Sequence, residues 1–289
     1  MKRLIIHGGI ADFEGKHLKA ADYQRDLDTI VREAWGVLLT QGAREAVLHA
    51  VRLLEDFEIF NAGTGSRIQA DGEIRMSAAL MDGARGVFSG VINIQYVRHP
   101  IDVAARLATE PHRVLAGPEA TRFARQVGMD SHFPFTTHRL QEFRQGRDPA
   151  AQGTGTVGAV ALDDNGVLVV GTSTGGVGNE RPGRVSDSAT VAGTYASPTA
   201  GVSCTGVGEQ LVDQAVASRV VVRSEEMDLA SAVTRTLAEG RRRGDLYGLI
   251  AIAADGTMVA DQTEGQVLFA SHDEEGPRVF GASPPSTPL

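Results

Sequence analysis

The chain has 289 residues, 42% of them apolar and 22% charged, with a net charge of −8, which suits a globular protein large enough to bury a substantial core. The acidic balance argues against a nucleic-acid partner, and the basic run Arg241-Arg242-Arg243 reads as the solvated end of a helix. A single cysteine, Cys204, excludes an internal disulfide, and no apolar run approaches the ~18 residues of a membrane span. The apolar stretch near the N-terminus stops at Ile6, too short for a secretory leader, so the expected setting is cytoplasmic.

A short strand over Leu4 to Ile6 opens the chain, and His7, beside Gly8-Gly9, reads as a structural residue. Leu27, Ile30, Val31, Ala34 and Leu38 form the apolar stripe of an amphipathic helix. Gly42 interrupts it, and Val47, Val51 and Leu54 continue with helical spacing. A third helix begins near Asp102, after His99-Pro100, with Val103 and Leu107 facing inward. Apart from its opening strand, the first half therefore reads as helical. The pattern fades from residue 131, and the polar stretch from Gln141 to Gly155 reads as a linker.

The second half opens with strands. Val157, Ala159 and Ala161 alternate with Gly158, Val160 and Leu162, so both faces are apolar and the strand is buried. Asn165-Gly166 signals a hairpin into Val167 to Val170, and Asp255-Gly256 joins Leu249 to Ala253 with Met258-Val259 in the same way. Helical segments around Glu209 to Val216 and Leu229 to Leu237 lie between. Hairpins interspersed with helices predict an α+β fold with an antiparallel sheet layered with helices, not a doubly wound parallel sheet.

Two short motifs fail on context. Gly153 to Gly158 matches the G-x-G-x-x-G dinucleotide fingerprint, but a polar stretch precedes it and a strand follows, the reverse of what the fingerprint needs. Gly171-Thr172-Ser173-Thr174-Gly175 matches the G-x-S-x-G nucleophile elbow, yet the glycine-rich run to Gly183 cannot start the required helix. The eight histidines form no H-x-x-x-H or Cys-His cluster, which argues against a catalytic metal.

The productive reading starts at Thr156. A threonine hydroxyl is a poor nucleophile unless a base sits beside it, and a free α-amine, with a pKa of ~7.7–8.0, can be that base. Thr156 must then become the first residue of its own chain. Its place after a flexible stretch, at the start of a buried strand, suits self-cleavage between Gly155 and Thr156, with the glycine permitting unusual backbone angles.

The stretch Gly155 to Asp163 resembles the start of the catalytic subunit in the plant-type L-asparaginase and isoaspartyl peptidase family. Further similarities follow in order: Thr172 to Gly176, Pro182 to Ser188 and Val202 to Glu209. Upstream, Ile6 to Gly9, Phe60 to Gly63 and Met81 to Gly83 occupy the expected places, and near the end so do Gly248 to Ile252 and Thr263 to Gly265. The resemblance spans nearly the whole chain.

It implies a four-layer αββα sandwich of the N-terminal-nucleophile hydrolase type. Residues 1–289 then form one domain, built from a 1–155 α-chain (with a linker over about 141–155) and a 156–289 β-chain after autocleavage. Thr156 matches the nucleophile and Thr174 the threonine beside it. Thr205 and Gly206 match the oxyanion-hole position, and Asn61 a residue near the nucleophile. Arg184 and Asp187, with Thr205, Gly206 and Gly208, match the substrate-binding set. An Arg fork suits an α-carboxylate, and Asp suits an α-ammonium. Ser186 stands where the family commonly has glycine. The resemblance further implies a structural sodium ion held by the backbone of Leu54, Glu55, Phe57, Phe60, Ala62 and Thr64. It implies no organic cofactor, a small-molecule or dipeptide substrate, and a homodimer of αβ heterodimers. The expected reaction is hydrolysis of L-asparagine and β-aspartyl (isoaspartyl) peptides. The alternatives are an uncleaved, non-catalytic aspartyl-ligand-binding relative and an aspartylglucosaminidase-like hydrolase.

Overall fold

The computed structural model describes residues 1–11, 20–146 and 155–281. In chain order the elements are β1 (Arg3–Ala11), α1 (Ala20–Gln41), α2 (Ala43–Asp56), β2 (Met76–Asp82), β3 (Val87–Ile94), α3 (Pro100–Leu107), β4 (Val114–Ala116), α4 (Gly117–Gln126) and α5 (Thr137–Arg144). After Thr156 come β5 (Val157–Leu162), β6 (Leu168–Thr174), β7 (Thr194–Ala196), β8 (Ala200–Gly206), α6 (Gly208–Gln214), α7 (Val216–Arg223), α8 (Leu229–Arg243), β9 (Tyr247–Ala253), β10 (Met258–Gln262), β11 (Gln266–Asp273) and β12 (Gly276–Val279).

The strands form two sheets, one of eight in the order β12-β11-β1-β5-β6-β2-β3-β4 and one of four in the order β10-β9-β8-β7. Pairing is antiparallel throughout except between β3 and β4, as hairpin connections favour. No helix among the described residues is long and apolar enough to cross a membrane.

Period-2 alternation distributes the strand side chains over three apolar clusters. Val157, Ala159 and Ala161 of β5 join α1, α2 and α3 in the largest cluster. Their neighbours Val160 and Leu162 join Val170 of β6 and Ile250 and Ile252 of β9 in a second. Val202 and Cys204 of β8 pack with α7 and α8 in a third. A strand buried on both faces reads as a continuous apolar run, which is why β5 was legible.

The helical stripe of α1 is buried as its spacing predicts, and Gly42 separates α1 from α2 with φ 86°, a left-handed conformation that favours glycine. Three expectations are corrected. The first half is not helical after its opening strand: β2, β3 and β4 extend the large sheet there. β2 reads MSAALMD, rich in helix formers, and it is a strand because β6 and β3 pair with it on either side, a tertiary context that overrides propensity. The linker is shorter than expected, because α5 continues through Arg144, while residues 147–154 lie outside the described residues. Only Arg139 of α5 is buried, and Leu140 and Phe143 alone pack against the core from it, too short a stripe to mark a helix. The third concerns the helix expected around Glu209 to Val216: it is broken at Ala215, which adopts φ 49°, ψ 46° between α6 and α7.

Candidate active site

Alternation also decides where the polar strand residues point. On β6, Val170 faces the second sheet, so Thr172 and Thr174 do too. On β8, Val202 and Cys204 face the helices, so Ser203 and Thr205 point back toward the large sheet. The Val157–Ser173 and Gly158–Thr172 pairings bring Thr156 opposite Thr174. The apolar layer between the sheets thus gives way to a polar one: His7, Thr172, Ser203 and Thr205 are fully buried, and Thr156 and Thr174 nearly so.

Thr156 Oγ1 donates to Thr174 Oγ1 at 3.1 Å, and Thr174 Oγ1 also accepts from Gly176 N–H at 3.3 Å. Asn61 fastens the loop after Thr174: its Nδ2 donates to Gly176 O at 2.5 Å, its backbone carbonyl accepts from Gly175 N–H at 2.9 Å, and its Oδ1 accepts from Arg67 N–H at 3.1 Å. Gly155 is required for close approach, since a Cβ there would stand 2.7 Å from Asn61 Cβ.

His7, read from sequence as structural, lies on β1 opposite Gly158 of β5. Its Nε2 meets Ser203 Oγ at 2.9 Å, and Ser203 Oγ meets Thr172 Oγ1 at 2.8 Å. Burial pushes the imidazole down from 6.5 to about 3, with the Thr156 backbone acting the other way. A depressed histidine is neutral in the fold while the unfolded chain is protonated, so stability falls as pH drops from 6.5 toward 3. His7 contributes about 1.4 kcal/mol per pH unit to that slope. The His7→Gln protein is expected to lose this share. Thermal melts across the window read it, and parallel Tm curves for the two proteins would exclude it.

A second group forms around Arg184 and Asp187, on the segment between β6 and β7. Arg184 Nε and Nη2 donate to Glu209 Oε1 and Oε2 at 2.6 and 2.8 Å, and Nη1 donates to Glu180 Oε2 at 3.0 Å. Asp187 is buried, and burial pushes its carboxyl up to about 7, against the pull of the nearby Arg184. Its Oδ2 has no hydrogen-bond partner among the described residues. Gly208, the first residue of α6, sits against both: a Cβ there would lie 3.0 Å from Arg184 Nη2 and 3.0 Å from Asp187 Oδ1. Ser186 packs here as well, its Cβ 2.5 Å from the same point.

Glu180 ties the two groups together. It accepts from Val177 N–H at 3.1 Å and from Gln69 Nε2 at 2.8 Å, and it pairs with Arg184. A Cβ on Gly176 would stand 3.0 Å from its Oε2. Glu55 supports the site from the helix side: Ser173 Oγ donates to its Oε1 at 2.6 Å, Ile101 N–H donates at 3.2 Å, and burial raises its carboxyl well above the usual range. With Ser173 inside β6 and committed to Glu55, the nucleophile-elbow reading stays rejected. Sequence reasoning assigned side-chain roles to neither Glu55, Glu180 nor Glu209, because their partners are distant in sequence or sit in loops without a period.

The loop from Leu54 to Thr64 brings backbone carbonyls close to neighbouring glycines. Carbonyls crowd Gly63 and, just past the loop, Gly65: a Cβ at Gly65 would lie 2.6 Å from Glu58 O and would collide with Phe60 O, and one at Gly63 would collide with Glu55 O. Oxygen-only donors of this kind suit a hard cation. Among the described residues no His, Cys, Asp and Glu cluster could hold a metal.

A family model described as asparaginase matches residues 1–281. An isoaspartyl peptidase/L-asparaginase from Nostoc sp. is 42% identical, covering 94% of this chain and 92% of the relative. One of the same name from Synechocystis sp. is 40% identical over 93% and 87%, and a plant-type L-asparaginase from Pyrococcus horikoshii is 33% identical over 89% and 92%. Similarity at this level, carried through both halves of each sequence, means that the chain belongs to the asparaginase family.

Proposed function

We propose that the protein hydrolyses L-asparagine and β-aspartyl peptides after cutting itself between Gly155 and Thr156. The observation that carries this reading is the buried Thr156–Thr174 hydroxyl pair at the start of β5, one loop away from an Arg–Asp pair whose carboxylate has an unpartnered oxygen. The names of the relatives agree with it, and they do not favour a non-catalytic binding protein.

In the cleaved enzyme the Thr156 α-amine takes the proton of its own hydroxyl, which attacks the substrate's side-chain amide carbon. Thr174 Oγ1 orients the nucleophile. Donors at Thr205 and Gly206 stabilise the tetrahedral oxyanion. Collapse gives a β-aspartyl ester on Thr156 and releases ammonia or the amine of the β-linked residue. Water, activated by the same α-amine, then frees aspartate. Arg184 takes the α-carboxylate and the carboxylate of Asp187 the α-ammonium, with Gly208 keeping the floor between them free of side chain. A substrate ammonium favours ionised Asp187, offsetting the burial that raises it.

The same reading makes the two sheets and flanking helices a four-layer αββα sandwich of the N-terminal-nucleophile type, supported by the three separate apolar clusters. The carbonyls of Leu54, Glu55, Phe57, Phe60, Ala62 and Thr64 would hold a sodium ion that stiffens the loop leading to Asn61, with no organic cofactor required. A cytoplasmic dimer of αβ heterodimers completes it, with exposed Val212 and Val222 on α6 and α7 as available apolar surface.

A substrate panel tests the clamp. β-Aspartyl dipeptides and L-asparagine are expected to be cleaved, with α-aspartyl dipeptides and L-glutamine turned over poorly. The α-linked compounds use the α-carboxylate in the peptide bond, and the extra methylene of glutamine moves its amide carbon away from Thr156. Comparable kcat/KM for α- and β-linked dipeptides would reject the clamp even with Thr156 as nucleophile.

A further inference from the structure

The guanidinium assigned to the substrate already holds a carboxylate in the geometry a substrate would adopt. Glu209 forks onto Nε and Nη2 of Arg184 at 2.6 and 2.8 Å, while Glu180 takes Nη1 at 3.0 Å. Three of the five N–H donors are therefore in use. The two glutamates differ in how they are held. Glu180 is 4% exposed and anchored by Gln69 and Val177 as well. Glu209 is 59% exposed in the first turn of α6, and its side chain bonds to no other residue among those described except Arg184.

The charges make the arrangement informative. One guanidinium facing two carboxylates leaves a local charge of −1, and a third carboxylate arriving beside them is repelled. Glu180 cannot leave without stranding buried donors. Glu209 can turn into water at little cost, and Gly208 places the substrate-binding floor directly next to it in the chain.

We propose that Glu209 is an internal stand-in for the substrate's α-carboxylate, seated on Arg184 in the empty enzyme and displaced into solvent when substrate binds. It sets affinity by competition: substrate must outcompete a carboxylate tethered beside the same fork. The inference rests on Arg184 being the carboxylate clamp.

The test uses processed enzyme, its cleavage verified by intact mass. Glu209→Gln and Glu209→Ala are expected to lower KM for L-asparagine roughly 2- to 10-fold, the range of a partly exposed ion pair. The gain should sit in KM rather than kcat, inhibition by L-aspartate should tighten by a similar factor, and Glu209→Asp should fall between. A residue that merely propped Arg184 would give the opposite sign, so an unchanged or higher KM in the Gln and Ala proteins overturns the proposal. Arg184→Ala separates the two readings. If it raises KM, the clamp stands whatever Glu209 does; if it leaves KM unaltered, the clamp falls and the competition with it.

Discussion

The Thr156→Ala protein is expected to remain a single chain of 289 residues and to be inactive, whereas the wild type resolves into pieces of 155 and 134 (289 − 155). Two losses coincide in one atom. On the proposed mechanism, without Oγ1 nothing attacks the Gly155 carbonyl, so the α-amine that would serve as base is never released. Without Oγ1 there is also no nucleophile for the substrate. Residues acting as one unit lose their effect together, and removing a nucleophile of this kind costs on the order of 10⁴–10⁶-fold in kcat. Intact-mass spectrometry and a β-aspartyl dipeptide assay read both consequences. The fold should survive, because Thr156 is a small side chain at the start of β5 whose hydroxyl, among the described residues, bonds to Thr174. A fully active wild type that is never cut would sink the mechanism.

Arg184→Ala is expected to leave self-cleavage intact and to cost about 2–5 kcal/mol in transition-state binding, roughly 30- to 4,000-fold in kcat/KM. Part of that loss has a source within the enzyme. Glu180 is nearly inaccessible, and without Arg184 it keeps, among the described residues, Gln69 and Val177 as donors. Arg184→Lys is the informative companion, because it keeps the charge and abandons the fork. If planar recognition of the α-carboxylate matters, Lys recovers stability, read as Tm, more than it recovers kcat/KM. An Arg184→Ala enzyme with unchanged kcat/KM on β-aspartyl dipeptides would show that the substrate carboxylate is read elsewhere.

How much of this was legible in the sequence depends on how local the signal is. The stripe of α1, the hairpin at Asn165-Gly166 and the two-sided burial of β5 are fixed by neighbours in the chain, and the structure has all three. β2 and β3 are not local in that sense. β2 lies between β6 and β3, and β3 between β2 and β4, and no window around Met76 contains β6. The polar α5 is anchored through Arg139, whose Nε donates to Gly65 O at 2.6 Å, a contact 74 residues away in sequence. The candidate site divides the same way. Thr156, Arg184 and Asp187 stood out through ordered motifs, while Glu55, Glu180 and Glu209 became visible only once the fold supplied their partners.

The strand order of the large sheet has a further consequence. Read across it, β12 and β11 come from after Thr156, β1 from before, β5 and β6 from after, and β2, β3 and β4 from before. A cut at Gly155 therefore leaves two polypeptides woven through one another along three hydrogen-bonded seams. While folded, they cannot part. Once unfolded, they become two solutes, and their reunion depends on concentration where the uncut chain had only to find itself. Self-cleavage would thus turn a first-order refolding problem into a second-order one. The working lifetime of the mature protein is then governed by how slowly the sheet opens, more than by the equilibrium it could return to.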